Sequence, residues 1–257
     1  MNKLRIDLNC DLGEGSGTDR RKLDRELMRY ITSANIAGGF HSGSPAIMRE
    51  TIRAAQKYRV AIGIHPGFPD PAGFGRRRLQ LSPEEVTDYV TYQIGALEAL
   101  ARAAGSELQH LKLHGALYHL ALDNKKIARA VANAVKRTNR RLWILTLPDS
   151  QMELACQSAG LKCAREAFAD RAYTADGRLV PRDKPGAVIA SARQVCSRML
   201  KLLTQGKLTS IDGQEIKLGK IDTICLHSDT PDALEIARKL RTRLVQEGIE
   251  VTSLGKK

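Results

Sequence analysis

Apolar and polar positions along the chain follow two alternating rhythms. Short apolar segments at 4–10, 32–37, 60–65, 109–114, 142–147, 162–167 and 221–227 have the length of strands. Between them lie longer amphipathic segments with helical period, at 20–30, 44–58, 82–104, 123–138, 149–159, 190–204 and 230–247. The helix at 82–104 opens with Ser82, Pro83, Glu84 and Glu85: an N-cap, a proline at the first helical position and an acidic first turn. The helix at 230–247 opens in the same manner at Asp229, Thr230, Pro231 and Asp232. Seven βα units in series predict a parallel α/β architecture, and right-handed crossovers close such a series into a barrel. Two stretches, 172–181 and 208–218, place Asp-Gly between strand-like arms and predict hairpins that decorate the barrel or lie over its mouth. With no linker-like segment between them, residues 1–257 are expected to form one domain.

Three of the predicted strands end in a histidine followed by small or turn-forming residues: His65 before Pro66 and Gly67, His114 before Gly115, and His227 before Ser228 and Asp229. The chain has six histidines, so half of them repeat one local pattern. Ligands and chemistry of βα proteins gather at the carboxyl ends of strands, where a histidine serves as acid, base or metal ligand. His41 sits in a glycine-rich loop beside Asn35. His110 and His119 fit no such pattern and read as structural or surface residues.

The first strand adds acidic groups. Period two puts Asp7, Asn9 and Asp11 on one face and Ile6, Leu8 and Cys10 on the other. A polar face inside a barrel is costly unless those groups meet a ligand, a cation or each other. Glu14 follows in a glycine-rich turn that lacks the spacing of a phosphate loop. Lys112 shares a strand face with His114, and either pairs with a carboxylate such as Asp7 or Glu166 or meets an anionic substrate. Arg76 or Arg77, in a long Pro- and Gly-rich loop, offers a planar fork for a carboxylate or phosphate, or is plain surface charge. Glu166, Asp170 and Arg171 close the sixth unit. Two or three carboxylates near three histidines suit a divalent metal, with Asp11, His65 and His114 as candidate ligands, or an acid/base pair.

Composition narrows the class. At 257 residues and 42% hydrophobic, the chain is long enough for a substantial core. Met1, Asn2 and Lys3 run directly into strand-like Leu4–Leu8, so no signal peptide is expected, and no apolar run approaches the roughly 20 residues of a membrane helix. Five scattered cysteines without a CxxC pair favour reduced thiols and a cytoplasmic location. The net charge of +13 comes from dispersed basic residues without interleaved aromatics, which fits a solvated face or an acidic protein partner better than nucleic acid. There is no Gly-x-Ser-x-Gly elbow and no dinucleotide fingerprint, so carboxylate and histidine chemistry on an anionic or amide substrate fits best.

The chain closely resembles the LamB/YcsF family, the A subunits of prokaryotic ATP-dependent 5-oxoprolinase. The resemblance is carried by DLNCDLGEG (Asp7–Gly15), SANIAGGFHSG (Ser33–Gly43), IGIHPGFPDPAGFGRR (Ile62–Arg77), YQIGAL (Tyr92–Leu97), HGALY (His114–Tyr118), EAFADRAY (Glu166–Tyr173) and CLHSDTP (Cys225–Pro231). It implies a distorted seven-stranded (β/α) TIM-like barrel of the polysaccharide-deacetylase type. It also implies opening of the lactam 5-oxoproline to glutamate, with ATP cleaved to ADP and phosphate, in a complex with partner subunits B and C. Phosphorylation of the amide oxygen would make the ring carbon electrophilic. A base such as His114 or Asp11 would then activate water while Lys112 or an arginine holds the substrate carboxylate. Taken with the residue pattern, the resemblance places the catalytic groups at His114, Asp11, Lys112 and His65. Substrate contacts are expected from Asp7, Asn9, Glu14, Asn35, His41, Arg76, Glu166, Asp170, Arg171, His227 and Asp229. Four positions depart from the family pattern: Gly38 for cysteine, Ser44 for aspartate, Leu113 for proline and Ser228 for glycine. Alternative readings are a self-sufficient metal-dependent amide or deacetylase-type hydrolase and a non-catalytic lactam-binding subunit.

Overall fold

The computed structural model describes residues 4–15 and 17–255; Met1, Asn2, Lys3, Ser16, Lys256 and Lys257 lie outside them, and with the first three the expectation of a direct start into the first strand. The elements run β1 (Arg5–Leu12), α1 (Thr18–Leu27), β2 (Ser33–Ala37), α2 (Pro45–Tyr58), β3 (Ala61–His65), α3 (Pro83–Ala103), β4 (Leu108–Lys112), α4 (Gly115–Asp123) and α5 (Lys125–Thr138). They continue with β5 (Trp143–Thr146), α6 (Gln151–Ala159), β6 (Lys162–Phe168), α7 (Ala192–Gln205), β7 (Lys207–Thr209), β8 (Glu215–Lys217), β9 (Thr223–His227), α8 (Ala233–Gln246) and β10 (Glu250–Val251). The parallel order β1-β2-β3-β4-β5-β6-β9 closes through a β1–β9 pairing, giving a seven-stranded barrel, while β10 extends the sheet beside the start of β1. No helix among the described residues is long and apolar enough to cross a membrane.

All seven expected strands form, within two residues of their expected ends. The hairpin expected at 208–218 is the β7–β8 ribbon, whereas at 172–181 the arms make only a bridge between Tyr173 and Leu179. One helix is not foreshadowed by the periodicity: α4 starts directly after His114, with no side-chain cap and Gly115 at φ +52°. The expected start of the last helix also moves. Asp229 is drawn into ion pairs with Arg76 and Arg182 and Thr230 donates to Asp170, so α8 begins only at Ala233.

The barrel interior is unusual for its class. Such interiors are filled mainly by branched aliphatic side chains. Here Ile6, Leu8, Cys10 and Leu12 of β1 sit in the main hydrophobic core, leaving Asp7, Asn9 and Asp11 for the other face. Asp7 accepts hydrogen bonds from Thr32, Ser33 and Thr223; Asn9 donates to Glu166 and Thr223; Asn35 donates to Asn9 and Asp11. His110, fully buried, bonds Asn35 Oδ1 at 2.7 Å, and burial holds its pKa down to about 3. Gly63 makes room for this ring, since a Cβ there would collide with His110 Nε2. Gly63→Ala is therefore expected to destabilise the fold by about 1–3 kcal/mol, read as a fall in the urea midpoint; an unchanged midpoint would show that the ring has room to move.

Asp24 on α1 ties the Gly13 turn to the barrel by accepting the Gly13 N–H, while its other buried oxygen has no partner among the described residues. Burial raises its pKa to about 6 against the help of that bond. The folded chain therefore holds the proton more tightly than the unfolded chain, and this stabilisation, fully present below about pH 3.9, is lost as pH rises through 6. Asp24→Asn, which keeps an acceptor for Gly13, is expected to raise stability by about 1–2 kcal/mol at pH 7.5 and by little at pH 4. Denaturation at both pH values checks this; an equal change at both would assign the effect to packing.

Candidate active site

At the carboxyl ends of the strands the polar column opens into a cavity of about 440 Å³. Its floor is an ion pair. Lys112, 2% exposed, places Nζ 2.6 Å from Asp11 Oδ1, 3.1 Å from Cys225 Sγ and 3.9 Å from Glu166. Asp11 stands in register between Asn35 on β2 and His227 on β9, and Asn35 Nδ2 donates to the same Oδ1 at 2.7 Å. Burial opposes ionisation of Asp11, but the neighbouring His65 and the Lys112 ammonium hold its carboxyl well below the usual range. Burial likewise opposes the Lys112 charge, and Asp11 outweighs it, so the ammonium stays protonated.

Above this pair four side chains converge. His65 Nε2 and His114 Nδ1 are 3.0 Å apart; Glu14 Oε1 lies 3.1 Å from His114 Nδ1, 3.2 Å from His41 Nε2 and 3.6 Å from His65 Nε2. Asp11 Oδ2 is 3.3 Å from His65 Nε2. The far nitrogens of the two facing rings are tied to backbone: His65 Nδ1 donates to the Lys112 carbonyl at 2.7 Å, and His114 Nε2 donates to the Phe74 carbonyl at 2.8 Å. A carbonyl only accepts, so each of these nitrogens carries the ring proton. The two nitrogens that face each other, next to a carboxylate, are then both bare. Such an arrangement demands positive charge between them, either one shared proton or a cation. The spacings match a cation well, because ligands at 2.0–2.1 Å in a tetrahedral shell lie about 3.4 Å apart. His41 stacks on His114 with ring centres 3.7 Å apart, and burial lowers its pKa to about 4. Burial works against the charge of Glu14 too, yet the His114, His41 and His65 rings gathered around it hold its carboxyl far below the normal range.

The walls come from strand ends and the loops that follow them. Phe168 stacks on His227, and His227 Nδ1 bonds the buried Asp170 at 2.9 Å. Arg76 reaches Asp229 at 2.7 Å and Arg182 pairs with the same carboxylate through two hydrogen bonds, so three strand-end loops meet across the mouth. Arg77 instead pairs with Asp70, which settles the choice between the two arginines as cavity group. The cavity thus brings together Asp11, Glu14, His65, Lys112, His114, Arg76, Arg171, His227 and Asp229. His41 and Asp170 stand directly behind them. Asp7, Asn9, Asn35 and Glu166 sit deeper in the hydrogen-bonded column and do not line the cavity. Three further groups were not marked by the sequence pattern: Arg182, the Phe74 carbonyl and Tyr118, whose hydroxyl donates to Glu166 at 3.0 Å. Tyr118 was within reach, being four residues after His114.

The four departures from the family pattern have local partners. Ser228 Oγ donates to the Asp11 carbonyl at 2.9 Å and accepts from Arg20. Ser44 caps α2. Gly38 packs on Gln93, which a Cβ would meet at 2.7 Å, and Gln93 bonds both the N–H and the carbonyl of Gly67. Leu113 is buried on the cavity wall.

Comparison with known proteins agrees with this architecture. The chain is 48% identical over 251 residues to the A subunit of 5-oxoprolinase from Pyrococcus abyssi, covering 98% of both chains. It is 45% identical to the corresponding 5-oxoprolinase chain of Bacillus subtilis, covering 98% of this chain and 97% of that one. The crystal structure of the lactam utilization protein from Thermus thermophilus superposes with a TM-score of 0.91 at 44% identity, over 98% of this chain and all of that one. A family 4 carbohydrate esterase from Streptomyces lividans shares the fold alone, with a TM-score of 0.52 at 12% identity over 99% of this chain and 94% of the esterase. The profile of the LamB/YcsF family matches residues 6–257, and the chain belongs to that family.

Proposed function

We propose that this chain is the ring-opening component of an ATP-dependent 5-oxoprolinase, converting 5-oxo-L-proline to L-glutamate together with partner subunits B and C. Relatives of this name at 45–48% identity support the substrate. The observation that carries the chemistry is the convergence of His65, His114 and Glu14 above the Asp11–Lys112 pair. Opening a five-membered lactam is opposed by amide resonance, and phosphoryl transfer from ATP to the lactam oxygen makes the ring carbon electrophilic. Water then adds to that carbon, the ring nitrogen departs with a proton as the amine, and a second water releases phosphate from the resulting acyl phosphate.

The residues divide this work. The facing His65 and His114 nitrogens take a proton from the attacking water and return it to the departing ring nitrogen. Their backbone partners at Lys112 and Phe74 keep both rings in the tautomer that leaves the reacting nitrogen bare. The Lys112 ammonium, held by Asp11, supplies positive potential at the floor, where charge develops on the oxygen. A divalent cation, if bound, would be held by Glu14, His65 and His114 with His41 alongside, and would polarise the carbonyl and acidify water. That donor set also favours a second reading, a metal-dependent amide hydrolase that works without ATP or partners.

Glutamate release from 5-oxoproline is expected only when this chain, both partner subunits and ATP are all present. His114→Ala is expected to lower kcat by about 10²–10⁴-fold with the thermal transition intact. Release of glutamate by the isolated, zinc- or manganese-loaded chain would select the second reading instead. On that second reading, titration calorimetry is expected to show one zinc or manganese ion per chain, with affinity weakened at least about tenfold by His65→Ala or Glu14→Gln. Binding unaffected by both substitutions would remove the cluster as its site.

A further inference from the structure

The cavity holds four permanent cations, and their partners differ. Lys112 is paired with Asp11, and Arg76 and Arg182 share the one carboxylate of Asp229. Arg171 is not matched. It is 5% exposed, and its hydrogen bonds go to neutral acceptors: Nη2 donates to the Val180 carbonyl at 2.6 Å and Nε to the Ala187 carbonyl at 3.4 Å. No carboxylate among the described residues forms an ion pair with it. The adjacent Asp170 is turned away toward His227 and Thr230.

A guanidinium stays charged at any physiological pH, and a buried charge without a counter-ion is costly. The fold nevertheless holds this one firmly. Its backbone bridges Val188, and its carbonyl accepts from Arg198 Nη2 at 3.0 Å. Burial and the neighbouring Arg182 push its pKa down, against the opposing pull of Asp170. The side chain lines the same cavity as His65, His114 and Lys112. Two donors fix its plane through the carbonyls, and the remaining N–H groups suit a planar, bidentate anion.

We infer that Arg171 pairs with a carboxylate carried by the substrate, and so restricts the site to lactams bearing one. This rests on the lactam-opening reading of the cavity and adds to it the residue that reads the acid group. Lys112 is engaged by Asp11 and Arg76 and Arg182 share the Asp229 carboxylate, whereas Arg171 has neutral acceptors alone. A neutral lactam would leave Arg171 unmatched, and the resulting penalty gives the discrimination.

The test is calorimetric binding of 5-oxo-L-proline and of its neutral isostere 5-oxo-L-prolinamide to the purified chain and to Arg171→Met, Arg171→Lys and Arg76→Met. The native chain is expected to bind the acid about 30-fold more tightly than the amide, as befits a charged hydrogen-bonded pair. Arg171→Met is expected to bring the two ligands within about threefold while leaving amide affinity in place. Arg171→Lys, which keeps the charge without the fork, is expected to fall between and supplies the answer if the methionine variant fails to fold. A preference that survives in both Arg171 variants, or that Arg76→Met removes equally, overturns the assignment. Loss of inorganic phosphate binding in Arg171→Met with acid preference intact would assign the residue to a phosphate instead and overturn it too. Failure of the native chain to bind either ligand would defeat the lactam reading itself.

Discussion

The buried pair of Lys112 and Asp11 is the constraint around which the rest of the interior is arranged. Removing one partner from such a pair costs about 3–5 kcal/mol, because the other charge is left uncompensated. The pair also fixes direction. With Oδ1 of Asp11 taken by Lys112 and Asn35, Oδ2 is the oxygen turned toward His65, at 3.3 Å, and His227, at 3.9 Å. Asn35 can donate to Asp11 only because His110 satisfies its carbonyl, and His110 fits only because residue 63 is glycine. A chain of such conditions runs from the base of the barrel to the reacting groups, which explains a polar interior where most barrels of this kind are aliphatic.

Loops complete what the strands begin. Phe74 has φ +53°, a left-handed conformation costly for an aromatic residue, and its carbonyl accepts the hydrogen bond from His114 Nε2. The loop is laced to the next strand end by His114 N–H to Pro66 and Ala116 N–H to Gly75. Gly115 permits that lacing, since a Cβ there would approach the Gly75 carbonyl to 2.6 Å. Strain in one loop thus sets the tautomer of a histidine at the next strand end.

Much of this was legible in the sequence because barrels write themselves as periodic patterns. Period two along Asp7, Asn9 and Asp11 separated the polar face, and the strand-end position of His65, His114 and His227 located the mouth. Depth along a strand was not legible. Asp7 and Asp11 share a face four residues apart, yet Asp11 meets the cavity while Asp7 is capped by Thr32, Ser33 and Thr223. Partner choice was equally hidden: nothing in a run of three arginines says that Arg77 will hold Asp70 and Arg76 will reach Asp229, 153 residues away. Helix α4 left no trace in the pattern because its start is dictated by Gly115 and the Gly75 carbonyl, a contact between loops.

The departures from the family pattern follow the same division between scaffold and site. Ser228 adds a side chain where backbone approach is close, but its hydroxyl joins β1 to the β9 loop and gives Arg20 an acceptor, so the turn gains bonds. Gly38 lacks a side chain where Gln93 presses closest, and Gln93 uses that room to grip Gly67 directly after the His65 loop turn. Ser44 replaces one helix-capping residue type by another and keeps the cap. None of these three positions lines the cavity, and none removes a group from the His65, His114, Glu14, Asp11 and Lys112 set. Leu113 does face the cavity, but as an apolar wall it alters shape and leaves charge untouched. The departures therefore leave the buried charge network of this chain intact and find their partners in the scaffold and wall around it.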